Sequence, residues 1–175
     1  SGRELFTIST NFSRRNFENG GDDFIERLQN TLQRYGIDPC YIEIEVTESV
    51  IVEKLDSLKA CLTRLGKLGY RIAIDDFGTG YSSLSVLLEI PANVVKIDKS
   101  FTDKIHQNGQ SAFVYQMGQF IQSAKEEVIF EGIEEEQQRT FLMECGFNYG
   151  QGYYFDRPLP LEEFEKKYIL SLIHI

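Results

Sequence analysis

Two adjacent carboxylates, Asp75 and Asp76, stand where an apolar run, Ile72-Ala-Ile74, meets the turn-forming stretch Phe77-Gly-Thr-Gly80. Acids at the end of a buried strand have the form of a metal site. Successive side chains of a strand point to opposite faces, so both acids can serve one site only where the strand gives way to a loop, which Gly78 and Gly80 permit. Converging carboxylates repel each other unless a cation lies between them. Taken alone, the pair is explained more simply as a solvated turn, because Asp and Gly dominate turns. Its meaning therefore depends on the partners that the rest of the chain supplies.

Several apolar runs end in the same way. Asn11 follows Leu5-Phe-Thr-Ile8-Ser, Glu45 closes Tyr41-Ile-Glu-Ile-Glu45, and Lys96 and Asp98 close Asn93-Val-Val-Lys-Ile-Asp98. Glu131 and Glu134 follow Val128-Ile-Phe130, and Gln151 lies within Phe147-Asn-Tyr-Gly-Gln-Gly-Tyr-Tyr-Phe155. Gathered on one rim, Asn11, Glu45, Asp75, Asp76, Lys96, Asp98, Glu131 and Gln151 offer four or five carboxylates, the carbonyls of an Asn and a Gln, and one lysine. Hard oxygen donors suit Mg²⁺ or Mn²⁺; His106 and His174 stand alone, and without a His or Cys cluster a typical zinc site is disfavoured. Two cations held by shared aspartates would polarise a phosphoryl group and lower the pKa of a bridging water, the two-metal route to phosphodiester hydrolysis. Lys96 could hold a water or a phosphate oxygen, or simply pair with a neighbouring acid.

The elements that must position these residues alternate regularly. A strand ending at Asn11 is followed, after Gly20-Gly21, by a helix with Phe24, Ile25, Leu28, Leu32 and Tyr35 at helical spacing and Gly36 as its stop. The strand 41–46 alternates strictly, with Ile42, Ile44 and Val46 on one phase and Tyr41, Glu43 and Glu45 on the other. A helix is expected from about Ile51 to Leu68, buried along Leu55, Leu58, Leu62 and Leu65. Further helices are expected from about Ser82 to Glu89, from Ser111 to Ala124, from Glu135 to Cys145 and from Leu161 to about Leu170. Six strand–helix repeats imply parallel strands with helices outside. An open sheet would gather residues from two or three strands at one switch point, whereas a barrel brings all its strand ends to one rim. The expected fold class is therefore α/β, a TIM-type barrel with about six of its eight strands.

Composition bounds the function. The 175 residues are 42% hydrophobic, enough for one domain with a real core, and carry a formal net charge of −9. Without a Lys/Arg run or basic face, binding of nucleic acid or an anionic membrane through charge is disfavoured, and a phosphate substrate would need local cations. Cys40, Cys61 and Cys145 lie far apart without a CxxC spacing, which suits reduced thiols in a cytoplasmic setting. No apolar run has membrane-spanning length and no signal-peptide pattern opens the chain, although a parent protein could carry membrane segments elsewhere.

Asn11-Phe-Ser, Glu45-Val-Thr-Glu48-Ser49, DDFGTGYSSL (75–84), Lys96-Ile-Asp-Lys-Ser-Phe101, Glu131-Gly-Ile-Glu134 and Gln151-Gly-Tyr-Tyr-Phe-Asp-Arg-Pro158 resemble the successive motifs of the EAL-domain family, the cyclic di-GMP phosphodiesterases. They occur in the family's order and near its spacing. The resemblance implies a modified (β/α)8 barrel with one antiparallel strand and hydrolysis of cyclic di-GMP to linear pGpG with two Mg²⁺ or Mn²⁺ ions. It implies that Asn11, Glu45, Asp75, Asp76 and Glu131 ligate metal, and that Lys96 and Glu131 orient or activate the attacking water, with Gln151 completing the shell. Asp98 and Glu134 are expected behind the ligands or beside substrate, with Tyr153 and Tyr154 offering aromatic surface to guanine. Glu48 resembles the glutamate that holds the loop after Asp76 and assists formation of a homodimer; a capping acid on the following helix is an equal reading.

The chain also departs from the family. The Glu-Ala-Leu signature is absent, as are the strands that accompany it upstream, so residues 1–168 resemble a partial domain. Residues 124–128 are shorter than the usual run into the Glu131 strand, and residues 169–175 read as a non-native tail. A barrel with two strands missing is expected to self-associate or to be poorly soluble, and to be inactive alone. The alternative function is a degenerate domain that binds cyclic di-GMP or a protein partner without hydrolysis.

Overall fold

A computed structural model describes residues 6–13, 16, 21–53, 55–80, 84–106, 109–125 and 127–169. The first strand's expected start at Leu5, the helix start at Ser82, and residues 170–175 of the expected tail lie outside them. Six strands form one sheet in sequence order: β1 (Ile8–Asn11), β2 (Ile42–Thr47), β3 (Arg71–Phe77), β4 (Val94–Ile97), β5 (Glu127–Phe130) and β6 (Tyr149–Gly150). Every neighbouring pair is parallel. Strict sequential order has no switch point of the kind that divides a doubly wound sheet, so the architecture is a half-barrel.

Helices α1 (Asp22–Tyr35), α2 (Glu48–Glu53), α3 (Leu55–Lys67), α4 (Leu84–Glu89), α5 (Lys99–Thr102), α6 (Ser111–Ala124), α7 (Glu136–Glu144) and α8 (Leu161–Phe164) fill the connections. The expected helix from Ile51 to Leu68 is helical over Glu48–Glu53 and Leu55–Lys67, Lys54 lying outside the described residues, and it begins three residues early, directly after β2. Acids Asp22 and Asp23 occupy the positive end of α1, and Gly36 ends it at φ 63°, a left-handed cap. On α3, Leu58, Cys61, Leu62 and Leu65 recur at helical spacing and are buried. The expected helix from Leu161 to about Leu170 is helical as far as Ile169, the last described residue, with α8 over Leu161–Phe164 passing into a π-helical turn over Glu165–Ile169.

Both faces of the central strands are covered, but differently. Ile44, Val46, Ile72, Ile74, Val95, Ile97, Val128 and Phe130 join the helices in the hydrophobic core. A fully buried Leu or Ile contributes roughly 1.5–3 kcal/mol relative to exposure. The opposite face carries the buried polar residues Glu43, Glu45 and Lys96. At its lower end Arg71 ties Glu127 (2.8 Å) to Glu43 (3.4 Å), and Ser9 donates to Glu43 at 3.0 Å. Among the described residues no helix is long and apolar enough to cross a membrane. All three cysteines are free.

Helix α6 packs on the sheet through Gly118, where a β-carbon would lie 2.4 Å from Phe147 Cζ and 2.9 Å from Phe130 Cζ. Overpacking of this kind costs about 1–3 kcal/mol. Gly118→Val is therefore expected to lower the unfolding free energy by that amount and shift the urea midpoint downward; an unchanged midpoint would show that α6 does not press on these rings.

Candidate active site

Strand β3 departs from regular pairing where its acids begin. Its register against β4 shifts between Ile74 and Phe77, and Asp76 lies at φ 53°, in the left-handed region. A non-glycine residue held there costs on the order of 1–3 kcal/mol. The sequence pattern places the break at Gly78 and Gly80; the structure places it two residues before Gly78, at Asp76 itself. The extra turn brings Asp76 round to the side of Asp75, so that carboxylate oxygens of Asp75, Asp76 and Glu131 all lie within 4.8 Å of one another.

The loop that follows is held from both sides. Gly78, at φ 98°, leaves room for Phe101, whose Cε2 would lie 2.3 Å from any β-carbon there. Glu48 is 1% exposed, and its carboxylate accepts a hydrogen bond of 2.6 Å from the Gly78 N–H. A β-carbon at Gly80 would come within 3.0 Å of the same carboxylate. Glu48 thus opens helix α2 and also struts the loop beyond Asp76.

Lys96 projects from β4 into the acids. Its side chain is 8% exposed, and Nζ lies 2.8 Å from Glu131 Oε1, 3.0 Å from Glu45 Oε1 and 3.3 Å from Asp75 Oδ1. Burial opposes the ammonium, but the hydrogen bonds to Glu131 and Glu45 outweigh it and raise the lysine's pKa above its ordinary value. Burial raises the Glu131 carboxyl, with Asp75 and Asp76 adding to the shift and Lys96 opposing it. Partial burial and the charges of Asp75 and Asp98 raise Asp76 as well. Burial is the main cause for both acids, and the cluster adds to it, since four carboxylates gather near one ammonium, a net charge of −3 when all are ionised.

The remaining expected residues are placed as follows. Asn11 is exposed at the end of β1, paired in register with Glu45. Gln151 follows β6, where its N–H donates to Phe130 O (2.8 Å) and its carbonyl accepts from Ile133 N (3.0 Å), which sets it on the rim beside Glu131. Asp98 caps α5, accepting from the Ser100 N–H at 2.9 Å. Glu134 is exposed and pairs with Lys99 at 3.3 Å. The Tyr154 ring meets Phe155 edge-on and lies under the Arg139 guanidinium; Tyr153, with Arg157 4.5 Å above its ring, lines a cavity of about 380 Å³ together with Gln151, Asp156 and Tyr168. Of the two tyrosines expected beside guanine, Tyr153 lines this cavity and Tyr154 does not, whereas sequence reasoning passed over Lys99 and Gln138, which fasten the segment after Glu131. The Lys96-Ile-Asp-Lys99 spacing was visible, but not what Lys99 would touch.

The donor set fits a divalent cation. Asp75 Oδ1 is buried and, although near Nζ of Lys96, has no partner in hydrogen-bond geometry. An orphaned carboxylate oxygen inside an acid-rich cluster is costly unless a cation completes it. Asp75, Asp76 and Glu131 offer oxygen donors of the type that Mg²⁺ and Mn²⁺ prefer.

Comparison with known proteins gives consistent results. The profile described as EAL domain matches residues 2–158. The chain is 40% identical over 163 residues to the signaling protein YkoW of Bacillus subtilis, covering 91% of this chain and 20% of that protein. It is 36% identical over 172 residues to the cyclic di-GMP phosphodiesterase NbdA of Pseudomonas aeruginosa, covering 96% of this chain and 22% of that one. The chain thus spans about a fifth of the length of these curated relatives. Among solved structures, the manganese and cyclic di-GMP complex of Klebsiella pneumoniae BlrP1 superposes with a TM-score of 0.80 at 28% identity, over 88% of this chain and 39% of that one.

Removing the one ammonium exposes the electrostatic balance. Lys96→Met is expected to destabilise the fold by about 3 kcal/mol, the cost of stranding buried carboxylates. An acid whose folded pKa lies above its unfolded value binds more protons when folded, so it stabilises the fold as pH falls. Glu131 and Asp76 are such acids, and the gap between parent and variant in urea unfolding is expected to narrow from pH 8 to pH 5. A constant gap would mean that Lys96 stabilises by packing alone.

Proposed function

This chain belongs to the EAL domain family, and we propose that it carries the catalytic rim of a domain that hydrolyses a phosphodiester bond of cyclic di-GMP to give linear pGpG. The observation that carries the reading is the Lys96 ammonium buried among Glu45, Asp75 and Glu131, with an Asp75 oxygen beside it that accepts no hydrogen bond. Nothing about a purely structural barrel rim calls for four acids around one lysine, whereas phosphoryl chemistry does. The dianionic substrate is consistent with cations supplied at the site, because the chain as a whole is acidic.

Mg²⁺ or Mn²⁺ held by Asp75, Asp76 and Glu131, with Glu45 and Asn11 on the adjoining strands, would supply Lewis acidity toward a phosphoryl oxygen and acidify a nearby water. The chain's own groups divide the remaining work. Lys96, held in its charged form, cannot accept a proton; it keeps Glu45 and Glu131 oriented and can donate a hydrogen bond to a phosphoryl oxygen or to the attacking water. Glu131 has the raised proton affinity and the rim position suited to take a proton from that water. The water oxygen bonds to phosphorus as its proton passes to Glu131, one P–O ester bond breaks with its electrons going to the departing ester oxygen, and that oxygen takes up a proton from solvent to become the free hydroxyl of the linear dinucleotide. Glu48 keeps Asp76 in its left-handed conformation by tethering Gly78. Tyr153, Gln151 and Arg157 border the adjoining cavity, whose aromatic and cationic walls suit a guanine base.

Incubation of the complete domain that carries this chain with cyclic di-GMP and Mn²⁺, followed by chromatography of the nucleotides, tests this reading. One pGpG is expected for each cyclic di-GMP consumed, and Glu131→Gln is expected to lower kcat by about 10²–10⁴-fold, the range of general acid–base assistance, while substrate binding persists. Binding without turnover by the unsubstituted protein would favour the non-catalytic alternative, and neither binding nor turnover would defeat the proposal. Glu48→Ala is expected to lower kcat through Asp76 and to cost about 1–3 kcal/mol for the amide left unsatisfied; full activity in that variant would remove Glu48 from the account.

A further inference from the structure

The segment that follows Glu131 is fixed at nearly every point but one. The Glu131 N–H donates to Ile97 O at 3.0 Å, and the Ile133 N–H donates to Gln151 O at 3.0 Å. On the helix side, the buried Gln138 amide oxygen accepts from the Glu134 and Glu135 N–H groups at 2.9 and 3.0 Å, while its nitrogen donates to Thr102 O at 3.3 Å. Gly132 lies between these anchors, next to Glu131. It sits at φ 68°, where glycine is the residue that adopts the conformation without strain. A glycine there frees the backbone as readily as it bends it.

What closes over Gly132 is Lys99. A β-carbon on Gly132 would lie 2.3 Å from Lys99 Cγ, 2.5 Å from Cβ and 2.7 Å from Cδ, so the aliphatic stem runs directly across the glycine. The Nζ beyond it reaches Asp103 at 2.8 Å and Glu134 at 3.3 Å, which draws the stem taut over the turn. Lys99 also begins α5, three residues after Lys96 on β4. One side chain therefore joins the end of the strand that carries Lys96 to the end of the strand that carries Glu131, from outside the acid cluster.

We propose that Lys99 is a positioning residue, whose stem clamps Gly132 and thereby holds Glu131 at its 2.8 Å contact with Lys96. The proposal rests on the phosphodiesterase reading for its kinetic consequence, but not for its structural one. Its surface position sets Lys99 apart from the reacting groups, since its ammonium faces Asp103 and Glu134 and not the acid cluster. The stem carries the effect and the charge only tightens it. A side chain of the same length without charge should accordingly suffice.

Lys99→Ala and Lys99→Met separate these contributions, read by hydrogen–deuterium exchange over residues 131–138 and by kcat and KM for cyclic di-GMP with Mn²⁺. Lys99→Ala is expected to speed exchange in that segment and to lower kcat by at least about tenfold with KM within about twofold, because small displacements of a reacting group cost rate steeply. Lys99→Met is expected to restore both. Unchanged exchange in the alanine variant, or a methionine variant as impaired as alanine, overturns the clamp. If the unsubstituted protein shows no turnover, the phosphodiesterase reading fails separately, and the exchange pattern alone decides the clamp by the same two outcomes.

Discussion

A single buried ammonium among four carboxylates is the constraint to which this half-barrel answers. Lys96 offsets the charge of one acid, and its pKa rises because leaving the cluster uncompensated would cost more than burying the cation. The remaining negative charge adds to the upward shifts that burial gives Glu131 and Asp76, and Asp75 Oδ1, though ion-paired with Lys96, accepts no hydrogen bond. The hydrophobic core lies on the other side of the same strands, so the acids are held rigidly by residues that take no part in the chemistry. Ile74 and Val46 in the core fix where Asp75 and Glu45 can point.

Parallel strands in sequence order deliver those acids to one rim, and short devices behind the rim tune their positions. Glu48 anchors the loop beyond Asp76, Asp98 caps α5, and Gln138 spans from Thr102 to the segment after Glu131. None of these groups need touch a substrate for the arrangement to depend on them. A strained Asp76 persists because Glu48 and Phe101 over-determine the turn that follows it.

Much of this was legible in the sequence, for physical reasons that differ by residue. Glu45, Asp75, Lys96 and Glu131 each end or interrupt an apolar run, and a polar group in a two-sided strand must be functional or paired; here three of the acids are paired with the lysine. The bulge at Asp76 was not legible, because it depends on the register of β3 against β4, which no local pattern encodes. The last strand is shorter than its apolar run suggested: β6 spans Tyr149–Gly150, and Gly152 then presses against the Ile133 backbone where a side chain would not fit. The aromatic run that follows is a turn, which puts Tyr153 and not Tyr154 on the cavity. Lys99 and Gly132 stand 33 positions apart, and only the fold brings the stem across the glycine.

The central claim is that the cluster holds more negative charge than its lysine can balance and is completed by a divalent cation. Calorimetric titration of the folded protein with Mn²⁺, beside Asp75→Asn, tests it most directly. Saturable binding weakened at least about tenfold in the variant is the expected result, since a buried charged ligand contributes well over 1.4 kcal/mol. Equal affinity in both proteins, or no binding by either while both remain folded, would contradict the account.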